Sequence, residues 1–223
     1  ALVPNTKGLF RALESGIDEV AVFISASETH NKKNINKTIS ETEIVLSEVV
    51  KESISNKKTI RGYISTVFGC PYEGNIDTDQ VIRLADSLFE MGINELSLGD
   101  TIGIANPVQV KQVLEQLLKR YPADSIAMHF HNTRGTALAN ALASLEMGIS
   151  KFDSSLGGLG GCPYAPGASG NLATDDLNYM LTNMGIETNI DPKKLNAAAL
   201  YIQSKLQKPL DSYSVKYYES QHK

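Results

Sequence analysis

No stretch of this chain is apolar for long enough to cross a bilayer, and no signal peptide opens it. A membrane span and a secretory address are therefore not expected. Cytoplasm is the default location, with a mitochondrial one left open because the chain starts at Ala1 and not at methionine. Cysteine is scarce. Cys70 and Cys162 lie far apart and neither belongs to a C-x-x-C pair, so free thiols are expected in place of a disulfide framework. Lys and Arg form no run, and the net charge is −4, which gives no reason to expect nucleic acid or an anionic membrane as partner. No Gly-x-Gly-x-x-Gly follows a strand-like run, which weakens a dinucleotide-binding sheet.

What is present is alternation. Strand-like runs fall at 19–25, 59–68, 95–98, 125–131 and 151–155, several of them apolar almost throughout, as in parallel strands buried on both faces. Helical patterns separate them. Ser40-Glu41-Thr42-Glu43 reads as a capping box, Asp77 as an N-cap with Gly92 as the stop, and Asn106-Pro107 as a helix start. Thr174 caps a further helix, and Asp191-Pro192 opens the last. One junction recurs: Gly16-Ile17, Gly92-Ile93 and Gly148-Ile149 each join a helix end to a strand start. Repeated βα geometry predicts a (β/α)8 TIM barrel in a single domain, 1–223. Six units are counted, including a strand stub at 1–3, so the first two strand–helix units are expected to be missing.

In such a barrel the ends of the strands carry the chemistry. His129 and His131 are two of only four histidines, and strand spacing puts both imidazoles on one face. Two neutral imidazoles there begin a divalent metal site. The same spacing also suits two buried, hydrogen-bonded histidines. Asn171 offers a carboxamide oxygen, a donor set closer to Mg²⁺ or Mn²⁺ than to thiolate zinc. Asp100 ends another strand and can orient a ligand or simply make a turn. Gly157-Gly158-Leu159-Gly160-Gly161 precedes Cys162. Gly158, Gly160 and Gly161 are read as a mobile loop that closes over a ligand and carries Cys162 with it. Cys70 is read as a packed thiol, and Tyr213, Tyr217 and Tyr218 as docking or surface aromatics.

The segment from Gly158 through Cys162-Pro163-Tyr164 to Gly170-Asn171-Leu172-Ala173-Thr174 resembles the signature of the 3-hydroxy-3-methylglutaryl-CoA lyases. So do Arg61-Gly62-Tyr63, Gly69-Cys70-Pro71-Tyr72-Glu73-Gly74 and Ser97-Leu98-Gly99-Asp100-Thr101. The resemblance implies a TIM barrel that cleaves the hydroxymethylglutaryl thioester to acetyl-CoA and acetoacetate, a step of leucine degradation and ketogenesis. It implies that His129, His131 and Asn171 ligate Mg²⁺ or Mn²⁺, that Cys162 relays a proton, and that Asp100 lies near the metal. An acyl-CoA substrate and a homodimer are expected, while the residues that hold the CoA nucleotide are not identified. The family's Arg-Asp-Gly strand and an early glutamate have no counterpart in this chain, so the chain alone is expected to be inactive. Condensing relatives such as isopropylmalate or homocitrate synthases carry Glu-Arg where this chain has Cys162-Pro163-Tyr164, which favours the lyase. A non-catalytic remnant is the other alternative.

Overall fold

The structure is a computed structural model that describes residues 1–161 and 170–221. Five strands form one parallel sheet in chain order: β1 (Glu19–Ser25), β2 (Thr59–Ser65), β3 (Glu95–Asp100), β4 (Ile126–Phe130) and β5 (Lys151–Asp153). The stub at 1–3 pairs with β1 through a parallel bridge between Leu2 and Ala21. Its hydrogen bonds are Val3 N to Ala21 O at 2.8 Å and Ala21 N to Ala1 O at 2.7 Å.

Helices follow the strands: α1 (Thr6–Glu14), α2 (Glu28–Ile35), α3 (Ile39–Ser55), α4 (Thr78–Met91), α5 (Pro107–Leu117), α6 (Ala137–Glu146), α7 (Thr174–Asn183), α8 (Pro192–Leu206) and α9 (Tyr213–Ser220). Local chemistry sets several of these boundaries. Asp77 accepts from Asp79 N at the start of α4, and Gly92 closes it in the left-handed region at φ 108°. Asn106 and Gln109 form a capping box at α5, with Pro107 at the first turn.

Two expected caps move. The box of α3 is Thr38 with Glu41, two residues before Ser40. The earlier start wins because Ile39 N donates to Glu28 Oε2 at 3.0 Å, while Asn31 Nδ2 donates to the carbonyls of Lys37 and Thr38. At α7 the N-cap is Ala173, and Thr174 is already helical. Thr174 instead shares a 2.8 Å hydroxyl contact with Ser154.

The sheet has two unlike faces, a correction to the expectation of strands apolar on both sides. Val20, Val22, Ile24, Ile60, Ile64, Leu96, Leu98, Ile126, Met128 and Phe130 are almost fully buried and belong to one apolar cluster with residues of the helices. The opposite face carries Arg61, Tyr63, Glu95, Ser97, Ala127, His129, Lys151 and Asp153, by the alternation of the register. On that face Arg61 of β2 pairs with Asp153 of β5 at 2.9 Å. In a flat sheet those strands would be three spacings of about 4.8 Å apart. The contact closes because the sheet curls around its polar face, as a barrel interior does.

The last three helices pack against one another. Asp176 of α7 accepts from Ser212 Oγ at 3.0 Å, Tyr213 N at 3.2 Å and Ser214 N at 2.7 Å, so one carboxylate holds the first turn of α9. A second small core of Ala199, Leu210 and Val215 takes in Leu156 and Leu159, tying α8 and α9 to the glycine-rich segment. A hollow of about 770 Å³ lies between α7 and α9, lined by Tyr179, Met180, Tyr213 and Tyr217.

Candidate metal and active site

His129 lies in β4 and His131 just beyond its end. Their Nε2 atoms face each other at 3.3 Å. Leu172 N donates to Phe130 O at 2.9 Å, and Asn132 N to Gly170 O at 3.1 Å. These bonds lay the chain at 170–173 against the end of β4 and bridge His131 to Asn171. The Asn171 side chain is held by its Nδ2, which donates to Leu159 O at 2.9 Å.

Two nitrogens at right angles about an octahedral ion, each about 2.1 Å from it, stand roughly 3 Å apart. The 3.3 Å spacing fits that arrangement. The same spacing also suits an N–H···N hydrogen bond between two neutral imidazoles, one donating and the other accepting. Among the described residues no group of three or more His, Cys, Asp or Glu could hold a metal.

Burial, helped by the neighbouring His129, pushes the His131 imidazole down to about 4. The lone pairs therefore stay available at neutral pH. The unfolded chain takes up this proton near the ordinary value of about 6.5. A depressed histidine thus contributes stability that is lost as pH falls from about 6.5 toward 4, up to about 3 kcal/mol. Melting the metal-free protein and H131Q across this range checks the sign. The gap should narrow toward acid, and a constant gap would contradict the burial argument. Asp100 titrates in both proteins and cancels in the difference.

Asp100 is fully buried. Its oxygens accept from Ile104 N at 2.9 Å and Ala105 N at 3.2 Å, so it braces the turn after β3. Burial raises its carboxyl to about 6 against the pull of these N–H groups and of Arg134 and His129. Arg134 donates to the carbonyls of Ile102 and Gly103 and secures the same turn.

The glycine segment is held at its base. Gly157 N donates to Asp175 Oδ2 at 2.6 Å, and Gly158 N to Ser155 O at 3.1 Å. Gly158 and Gly160 have φ of 72° and 108°. A β-carbon on Gly161 would meet nothing within 4 Å. Cys162 lies outside the described residues. Cys70 is a buried free thiol whose Sγ donates to Ser27 Oγ at 3.0 Å.

Sequence reasoning missed Asp153. Its Oδ2 stands 3.2 Å from His129 Nδ1 and accepts from Ser97 Oγ at 3.0 Å. Burial works to raise this carboxyl, but His129, Arg61 and Ser97 together hold it below the usual range. A usable signal was the period-2 placement of charged residues inside strands, at Arg61, Glu95, Lys151 and Asp153, where charge is rare unless paired.

A profile of the HMGL-like family matches residues 1–202. The chain is 59% identical over 220 residues to a hydroxymethylglutaryl-CoA lyase of Bacillus subtilis, covering 99% of this chain and 74% of that one. The crystal structure of the Bacillus subtilis HMG-CoA lyase superposes with a TM-score of 0.96, over 98% of this chain and 74% of that one. An HMG-CoA lyase from Acinetobacter baumannii, solved with coenzyme A and 3-methylmalate, is 41% identical with a TM-score of 0.92 over 96% of this chain and 70% of that one. By sequence over residues 1–202 and by fold over nearly its whole length, this chain belongs to the HMGL-like family and has the parallel α/β fold of the TIM-barrel hydroxymethylglutaryl-CoA lyases.

Proposed function

We propose that this chain is the catalytic part of a divalent-metal-dependent lyase that cleaves 3-hydroxy-3-methylglutaryl-CoA to acetyl-CoA and acetoacetate. The observation that carries the proposal is the Nε2 pair at 3.3 Å with Asn171 beside it, at the strand ends of a member of this family. His129, His131 and Asn171 are the residues that would hold the cation, Mg²⁺ or Mn²⁺. When bound, it would favour the alkoxide over the alcohol at the tertiary hydroxyl.

The reaction is a retro-Claisen cleavage. The hydroxyl gives its proton to a general base, its oxygen becomes the ketone of acetoacetate, and the bond between C2 and C3 breaks. That electron pair goes to C2 of the departing acetyl thioester, which must then be protonated. We assign this proton transfer to Cys162, carried by the segment of Gly158, Gly160 and Gly161, because a thiol exchanges protons near neutral pH. Asp100 serves by bracing the turn beside the site through its bonds to Ile104 N and Ala105 N. An acyl-CoA ligand is supported by the Acinetobacter baumannii relative solved with coenzyme A. A homodimer is the assembly proposed.

The test is acetoacetate release from the thioester, assayed with Mg²⁺, with Mn²⁺ and with chelator, on this chain and on the uninterrupted reading frame that encodes it. Metal-dependent release from the longer protein is expected, together with little or none from the chain alone. Condensation of acetyl-CoA with a 2-oxo acid, without cleavage, would overturn the assignment.

A further inference from the structure

We propose that Asp153, clamped by Arg61, is a positioning residue that fixes the ring of His129 so that its Nε2 lone pair faces His131. The proposal rests on His129 being a metal ligand. His129 has two ring nitrogens, and a neutral imidazole can offer only one lone pair. Which one it offers is decided by the hydrogen bond at the other. Asp153 Oδ2, 3.2 Å from Nδ1, accepts the Nδ1 proton and leaves Nε2 bare on the side of His131.

The carboxylate is itself held from two further strands. Ser97 Oγ of β3 donates to the same oxygen, and Arg61 Nη2 of β2 pairs with Oδ1 at 2.9 Å. Arg61 Nε stands 2.8 Å from Glu95 Oε1, and Glu95 is paired in turn with Lys151. A small residue keeps the passage open. Ala127 stands between Ser97 and Lys151 in the register, on the face where Arg61 and Asp153 meet. A larger side chain there would project into that meeting point. The clamp thus uses residues of four strands on the polar face, and it sets the direction of one ring.

The experiment uses the full-length protein and Mn²⁺ as probe, with D153N, R61M and H129A beside wild type. Asparagine keeps the size of Asp153 but not its charge. D153N is expected to weaken Mn²⁺ binding by about ten- to a hundredfold. R61M is expected to weaken it in the same direction and by less. In the metal-free protein, ¹⁵N spectra should place the His129 proton on Nδ1 in wild type and on both nitrogens in D153N. A merely structural role would lower melting temperature without moving that proton. If D153N does not fold, R61M gives the same two readings.

Unchanged affinity in D153N with the proton still on Nδ1, while H129A loses binding, would overturn the positioning role and leave the metal site standing. Binding that survives H129A would overturn both.

Discussion

Replacing His131 with alanine is expected to remove divalent-ion binding and to lower kcat/KM by about 10³ or more, since a metal supplies several kcal/mol of charge stabilisation to an oxygen that becomes anionic. His131 is only 8% exposed, so its imidazole is already out of water and is kept neutral by that burial. It is also the link between the two halves of the donor set. Its Nε2 meets His129, and its backbone pairs with Asn171. Alanine leaves one imidazole and one carboxamide, too few donors from these elements to compete with water for Mg²⁺ or Mn²⁺. Titration with Mn²⁺ and an acetoacetate assay on the full-length variant read the two effects together. Full turnover in H131A, or wild-type Mn²⁺ affinity, would remove His131 from the site.

The second large effect is expected at Gly170. A β-carbon there would lie 2.1 Å from Gly158 O and 2.2 Å from Gly160 O. Both obstacles are backbone, so no rotamer change relieves them. Either the 158–160 segment or the chain at 170–171 must shift. Two bonds would go with the shift: Asn132 N to Gly170 O at 3.1 Å, and Asn171 Nδ2 to Leu159 O at 2.9 Å. G170A is therefore expected to cost about 1–3 kcal/mol of stability as an overpacked site and to weaken Mn²⁺ binding through a displaced Asn171. A thermal melt and a Mn²⁺ titration check the pair of effects. A variant with wild-type values in both would mean that this close approach does not set the position of Asn171.

Much of the frame could be read from residues with local causes. Asp77, Gly92 and Asn106-Pro107 end or start helices because their own side chains or backbone angles do so, whatever surrounds them. The one-face placement of His129 and His131 follows from strand geometry alone. Features that depend on distant partners were not legible. Thr38 in place of Ser40 starts α3 because Glu28 and Asn31, on another helix, bond its first turn. Helix α2 has a polar sequence with little helical stripe and was not identified. Helix α9 carries exposed tyrosines and is anchored by Asp176, far away in sequence. Asp153 escaped notice for the same reason: its importance comes from Arg61, Ser97 and His129, which only the curled sheet brings together.

The direct measurement is a diffraction experiment on full-length crystals grown with Mn²⁺, using the anomalous signal to locate the ion. The expected result is one ion bound by His129 Nε2, His131 Nε2 and the Asn171 carboxamide oxygen. An ion held elsewhere, with the two Nε2 atoms still paired to each other, would contradict it.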